Sequence, residues 1–94
     1  MRFRGALRTR NVLLIRAAAA ELPSVELDDA LVICEVLAEK EPERYERAAM
    51  RWLGRLCLER PVTLSQIGQA VAALEGLPVD PPGSLRVLRT LSEH

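Results

Sequence analysis

At 94 residues the chain has room for one domain with one core, and an apolar content of 49% can build that core without a metal or disulfides. With one Trp, one Tyr and one Phe, the interior must be filled by Leu, Ala, Val and Ile, and this mix with Arg and Glu favours helices over strands. A formal net charge of zero argues against a dedicated nucleic-acid-binding domain, which is usually basic, and no run approaches the roughly 18 apolar residues of a membrane span.

Residues 1–8 carry Arg2, Arg4 and Arg8 and read as a basic N-terminal arm or an extension of the first helix, with Gly5 weakening the helical option. Residues 9–94 read as a single helical domain. The opening stretch imitates a signal peptide, but Arg16 interrupts its apolar region after VLLI, so a cytoplasmic protein is expected. A first helix is predicted from Thr9 or Asn11 to Leu22, burying Val12, Ile15, Ala19 and Leu22, with Leu14 and Ala18 widening the stripe.

The second helix starts between Ser24 and Asp28 and ends near Lys40. Leu27, Ala30, Leu31, Cys34, Leu37 and Ala38 form its apolar face, and Asp28, Glu35 and Glu39 line the opposite side as a solvated acidic row. Glu41-Pro42 breaks the chain, and so short a connection predicts that helices two and three form an antiparallel hairpin. Helix three, residues 42–60, is the most sharply organised stretch. Arg44, Arg47, Arg51 and Arg55 fall within about 80° of one another at helical spacing, and Tyr45, Ala49, Trp52, Leu53 and Leu56 fall on a separate apolar face.

Helix four has a clear start signal. Thr63 and Gln66 make a capping box, Val62 and Ile67 stand at staple positions, and Leu64, Ile67, Val71 and Leu74 form the expected buried stripe. Gly76 is placed to end this helix in a left-handed cap, with Pro78 blocking continuation. Asp80-Pro81 then opens a short final helix with Leu85, Leu88 and Leu91 inward. The expected fold is thus all-α: a compact bundle of four main helices plus a short C-terminal one.

The zero net charge hides blocks. Residues 1–16 hold five arginines and no acid, residues 17–46 sum to −7, residues 47–60 to +3 and residues 61–94 to −1. Such blocks pair within a fold or between chains, so homodimerisation is an open form of assembly. Cys34 and Cys57 lack a CxxC partner or a nearby histidine, the only histidine being His94. Both read as buried apolar residues, and no metal, cofactor or catalytic residue is expected.

The candidate partner-binding residues are Arg44, Arg47, Arg51 and Arg55 on the ridge, with Arg4 and Arg8 on the arm. A structural role comes first for the ridge: acids early and bases late suit the helix dipole, and the acidic row of helix two can neutralise the arginines. A functional role requires the ridge to face open solvent, away from Asp28, Glu35 and Glu39. On that condition it suits an acidic protein partner or phosphates.

The run RYERAAMRWLGRLCLER followed by VTLSQIGQAVAALEGLP resembles small uncharacterised all-helical proteins of high-GC actinobacteria, over roughly residues 27–78. That resemblance implies a helical fold and brings no activity, cofactor or site residue. The expected function is a non-enzymatic protein-interaction module, with self-association as one form of it and no small-molecule substrate. The alternative is a DNA-binding regulator that uses a degenerate helix-turn-helix over residues 63–93 and the basic arm.

Overall fold

A computed structural model describes residues 3–93, which are all-α: α1 (Phe3–Thr9), α2 (Val12–Ala20), α3 (Leu27–Lys40), α4 (Pro42–Glu59), α5 (Leu64–Gly76) and α6 (Pro81–Ser92). Arg2 of the basic arm and His94 lie outside the described residues. There is one helix more than the sequence pattern predicts, because residues 3–9 form a helix of their own. Arg10 separates it from α2 by adopting a left-handed backbone, φ 55°, which no helix tolerates in its interior. Thr9 closes the break: its hydroxyl donates to the Ala6 carbonyl at 2.6 Å and accepts from the Asn11 amide at 3.1 Å. Asn11 then caps α2 by accepting from the Leu14 amide.

α3 is buried on two sides. Leu27, Leu31 and Cys34 join the larger core with α4, α5 and α6, while Val36 joins Phe3, Ala6, Leu7, Ile15 and Ala18 in a second core under α1 and α2. Val32 and Ile33, outside the predicted apolar face, pack on that second core. The helix reads as amphipathic in sequence, yet it is a central element covered by two layers.

α4 is the keel of the larger core. Glu41 alone joins it to α3, and Pro42 opens it at a position where a missing N–H costs nothing. Tyr45, Ala49, Trp52 and Leu56 are buried, with Leu53 half-buried against them, as their spacing predicts. Trp52 Nε1 donates to the Leu27 carbonyl at 2.9 Å, which pins the middle of α4 to the first turn of α3. Tyr45 donates its hydroxyl to the Leu74 carbonyl at 2.5 Å. That acceptor is free for a local reason: its partner in an α-helix would be residue 78, and Pro78 has no N–H.

The capping box forms as predicted, the Gln66 amide donating to Thr63 Oγ1 at 3.1 Å and the Thr63 amide to Gln66 Oε1 at 2.8 Å. The buried stripe of α5 is rotated from the expected one. Ala70, Ala73 and Leu74 are inside, followed by Leu77, while Leu64 is 87% exposed and Val71 is exposed. Two alanines therefore sit on the buried side, and Leu64 and Val71 are left on the outer one. Gly76 does not adopt a left-handed cap; the next residue, Leu77, stays helical in its backbone, and the Val79 and Asp80 amides both donate to the Gly76 carbonyl. The two helices approach closely there: a Cβ on residue 76 would stand 3.2 Å from Ser84 Oγ of α6, a tight contact that glycine avoids. Asp80 caps α6, and Leu85, Leu88 and Leu91 face inward as expected. At 12 residues α6 is longer than α1 and α2 and one residue shorter than α5. Cys34 is buried, but Cys57 is exposed, against expectation, because it falls roughly 120° round the helix from Tyr45.

The radius of gyration, 12.8 Å, is close to the roughly 12 Å of a compact chain of this length. Burial pushes the Tyr45 phenol up to about 12 and the Cys34 thiol up to about 11, from ordinary values of 10.0 and 9.0. Both are favoured in their neutral forms, so their contribution is whole below the ordinary values and is lost as pH rises through the folded ones. Tyr45→Phe leaves the Leu74 carbonyl without its donor and is expected to cost about 1–2 kcal/mol in urea unfolding at neutral pH. The same substitution should flatten the decline in stability between about pH 10 and 12.

Candidate functional site

On α4, Arg44, Arg47 and Arg51 are exposed and Arg55 is half-buried, and none of the four pairs with Asp28, Glu35 or Glu39 among the described residues. Glu35 and Glu39 of the acidic row are taken by Arg10, whose guanidinium lies 3.5 Å from Glu35 Oε1 and bonds Glu39 closely. Arg10 holds the Glu39 carboxyl below the usual carboxylate range through that hydrogen bond, with Lys40 adding to it. Asp28, the third member, accepts from Ser92 Oγ at 3.4 Å; it and Glu39 are exposed as the sequence suggests, and Glu35 is half-buried. Its counter-charge comes from Arg10 in the α1–α2 turn and from Lys40, not from the ridge.

Arg44, Arg47 and Arg51 line a cleft of about 490 Å³, together with Glu43, Leu37, Ala48 and, from α2, Arg16. Leu37 and Ala48 supply its apolar side. Glu41, the residue between α3 and α4, makes no helix-capping bond with its side chain. One oxygen of its carboxylate instead meets Arg44 Nε at 3.1 Å and Arg16 at 3.7 Å. This shared carboxylate ties guanidiniums from two helices to the same wall. Arg47 and Arg51 are exposed and make no ion pair or side-chain hydrogen bond among the described residues.

The other candidates separate from this group. Arg55 is bound one turn on by Glu59, through Nε at 2.8 Å and a second contact at 3.4 Å, which holds the Glu59 carboxyl below its usual range. Arg4 and Arg8 sit on α1, where Phe3, Ala6 and Leu7 are buried, so residues 3–9 are a packed helix and not a loose arm. Arg4 reaches Asp29 at 4.0 Å, and Arg8 shares a mixed-charge cleft with Arg4, Asp28, Asp29 and Arg89. Arg10 and Arg16 were outside the sequence-derived set. Only the docking of α2 on α3 brings them to the acids, and no local spacing signals it.

A second surface lies between α4 and α5, where Met50, Leu53, Val71 and Pro78 line an apolar groove of about 450 Å³ with Glu46 and Glu75 on its walls. Val71 belongs to the stripe expected inside. Among the described residues no group of His, Cys, Asp and Glu could hold a metal ion, and no helix is long and apolar enough to cross a membrane.

No protein-family model, curated protein or solved structure matches the chain. The site therefore stands on its geometry.

Arg10 combines a strained backbone with surface ion pairs. Arg10→Ala keeps the strain and loses the pairs, whereas Arg10→Gly loses the pairs and relieves the strain. Thermal or urea unfolding should find the glycine variant more stable than the alanine variant by about 1 kcal/mol.

Proposed function

We propose that the chain is a non-enzymatic protein-interaction module whose contact surface is the arginine cleft, with Arg44, Arg47 and Arg51 of α4 and Arg16 of α2 receiving an acidic segment of a partner. The observation that carries this reading is the allotment of counter-charges. Arg10 occupies the acids of α3, and Arg47 and Arg51 are left exposed without a carboxylate. A guanidinium presents its donors as a planar fork suited to carboxylates, and the cleft concentrates several of them. Self-association is one form of the same reading, since Glu46 and Glu75 offer a second copy exposed carboxylates.

The DNA-binding alternative has less in its favour. Residues 3–9 are folded onto the second core and cannot serve as an extended arm without leaving it. α6, the would-be recognition helix, begins Pro-Pro-Gly and buries Ser84, Leu85, Leu88 and Leu91, leaving Arg86 and Arg89 as its cations. A groove-reading helix normally presents several base-contacting side chains from its first turns.

Arg47→Glu combined with Arg51→Glu should abolish capture of an acidic partner while leaving helicity unchanged and stability within about 0.5 kcal/mol, because neither residue has a partner to lose. Circular dichroism and a pull-down measure the two halves. Loss of helicity would mark the ridge as structural. Salt-sensitive binding of a DNA duplex that survives the double substitution would favour the alternative.

A further inference from the structure

The cleft has a charge balance that specifies its ligand more narrowly than "acidic". Around it stand four guanidiniums, Arg16, Arg44, Arg47 and Arg51, and two carboxylates, Glu41 and Glu43, which leaves +2. A carboxylate side chain brings one negative charge and a backbone phosphodiester likewise one. A phosphate monoester brings about −1.5 to −2 near neutral pH and adds three acceptor oxygens. We propose that the cleft binds a phosphoserine or phosphothreonine side chain on a partner protein segment. This inference rests on the protein-interaction reading above and names the chemistry of its anchor.

Four further observations support the assignment. Glu41 holds Arg44 by Nε at 3.1 Å and Arg16 through one terminal nitrogen, so both keep further N–H donors while their position on the wall is set in advance. Arg47 and Arg51 have all their donors unspent among the described residues. The positive ground is also local. Glu43 lines the cleft itself, so a polyphosphate backbone running through it would meet a carboxylate. One dianion flanked by ordinary peptide fits that pattern, whereas a nucleic-acid strand does not. Leu37 and Ala48 on the apolar side accept the methylene or methyl group that carries the phosphate ester.

The test uses the full chain, labelled with nitrogen-15, and two synthetic acidic peptides identical except for a central serine that is phosphorylated in one. The phosphorylated peptide is expected to shift the amide resonances of residues 43–51 and Arg16 saturably, with affinity roughly tenfold above that of the unphosphorylated one. That advantage should shrink on going from about pH 7.5 to about pH 5, where the monoester gains a proton while arginine does not titrate. Arg47→Gln with Arg51→Gln should remove it, with the circular-dichroism spectrum unchanged. Equal affinity for the two peptides overturns the phosphate assignment and leaves the acidic-partner reading standing. Binding of neither peptide overturns both. Inorganic phosphate alone saturating the same resonances, with the phosphorylated peptide no tighter, overturns the protein segment in favour of free phosphate. A DNA duplex that displaces the phosphorylated peptide at comparable concentration overturns it in favour of nucleic acid.

Discussion

Two polar-tipped aromatic side chains on one face of α4 hold the larger core in register. Trp52 buries its ring in that core and spends its single N–H on the Leu27 carbonyl. Tyr45 does the same two turns earlier with the Leu74 carbonyl. An aromatic ring supplies more apolar area than any other side chain, and its polar tip must find a partner when buried. The pair therefore specifies where α3 and α5 sit along α4 as well as how strongly they adhere. With α4 so placed, its arginines are turned outward, and the cleft on its other side follows from that orientation.

Much of this could be read from local sequence. Proline-marked breaks, the Thr63–Gln66 box, the Asp80 cap and the spacing of Tyr45, Ala49, Trp52 and Leu56 give the elements from α3 onward and the inner face of α4. These signals act within one turn of helix, which is why they survive without tertiary information. The failures share the opposite property. The face that α5 buries is set by the helices it packs on, α4 and α6, and it carries Ala70 and Ala73, although a hydrophobicity pattern ranks Leu64 and Val71 above them. Gly76 was legible as special but not as a contact, since Ser84 arrives from another helix. The second core was hidden because Val32, Ile33 and Val36 stand beside acids on α3, and only α1 and α2 bring the apolar cover they need.

The candidate site divides in the same way. Arg44, Arg47 and Arg51 were visible as a ridge because they share one helix. Arg16 was not, being separated from them by the whole of α3, and Arg55 fell outside because Glu59 competes for it at the distance of one turn. What decides between an internal role and an outward one is the partner that each charge finds. Arg10, whose left-handed backbone sets it at the turn facing Glu35 and Glu39, settles that question for the acidic row.

The two-layer burial of α3 has a consequence for motion. Among the described residues the second core holds six buried residues against fourteen in the first, and five of those six come from α1 and α2. The cheapest partial opening of the molecule is therefore the peeling of residues 3–20 from α3, with the body around α4 left intact. Arg16 travels with that layer, and Arg44 remains on the body. Any anion that bridges them binds the closed form alone, so it must slow amide exchange throughout α1 and α2, far beyond the residues it touches. Occupancy of the cleft and the adhesion of the N-terminal layer are one equilibrium seen from two places.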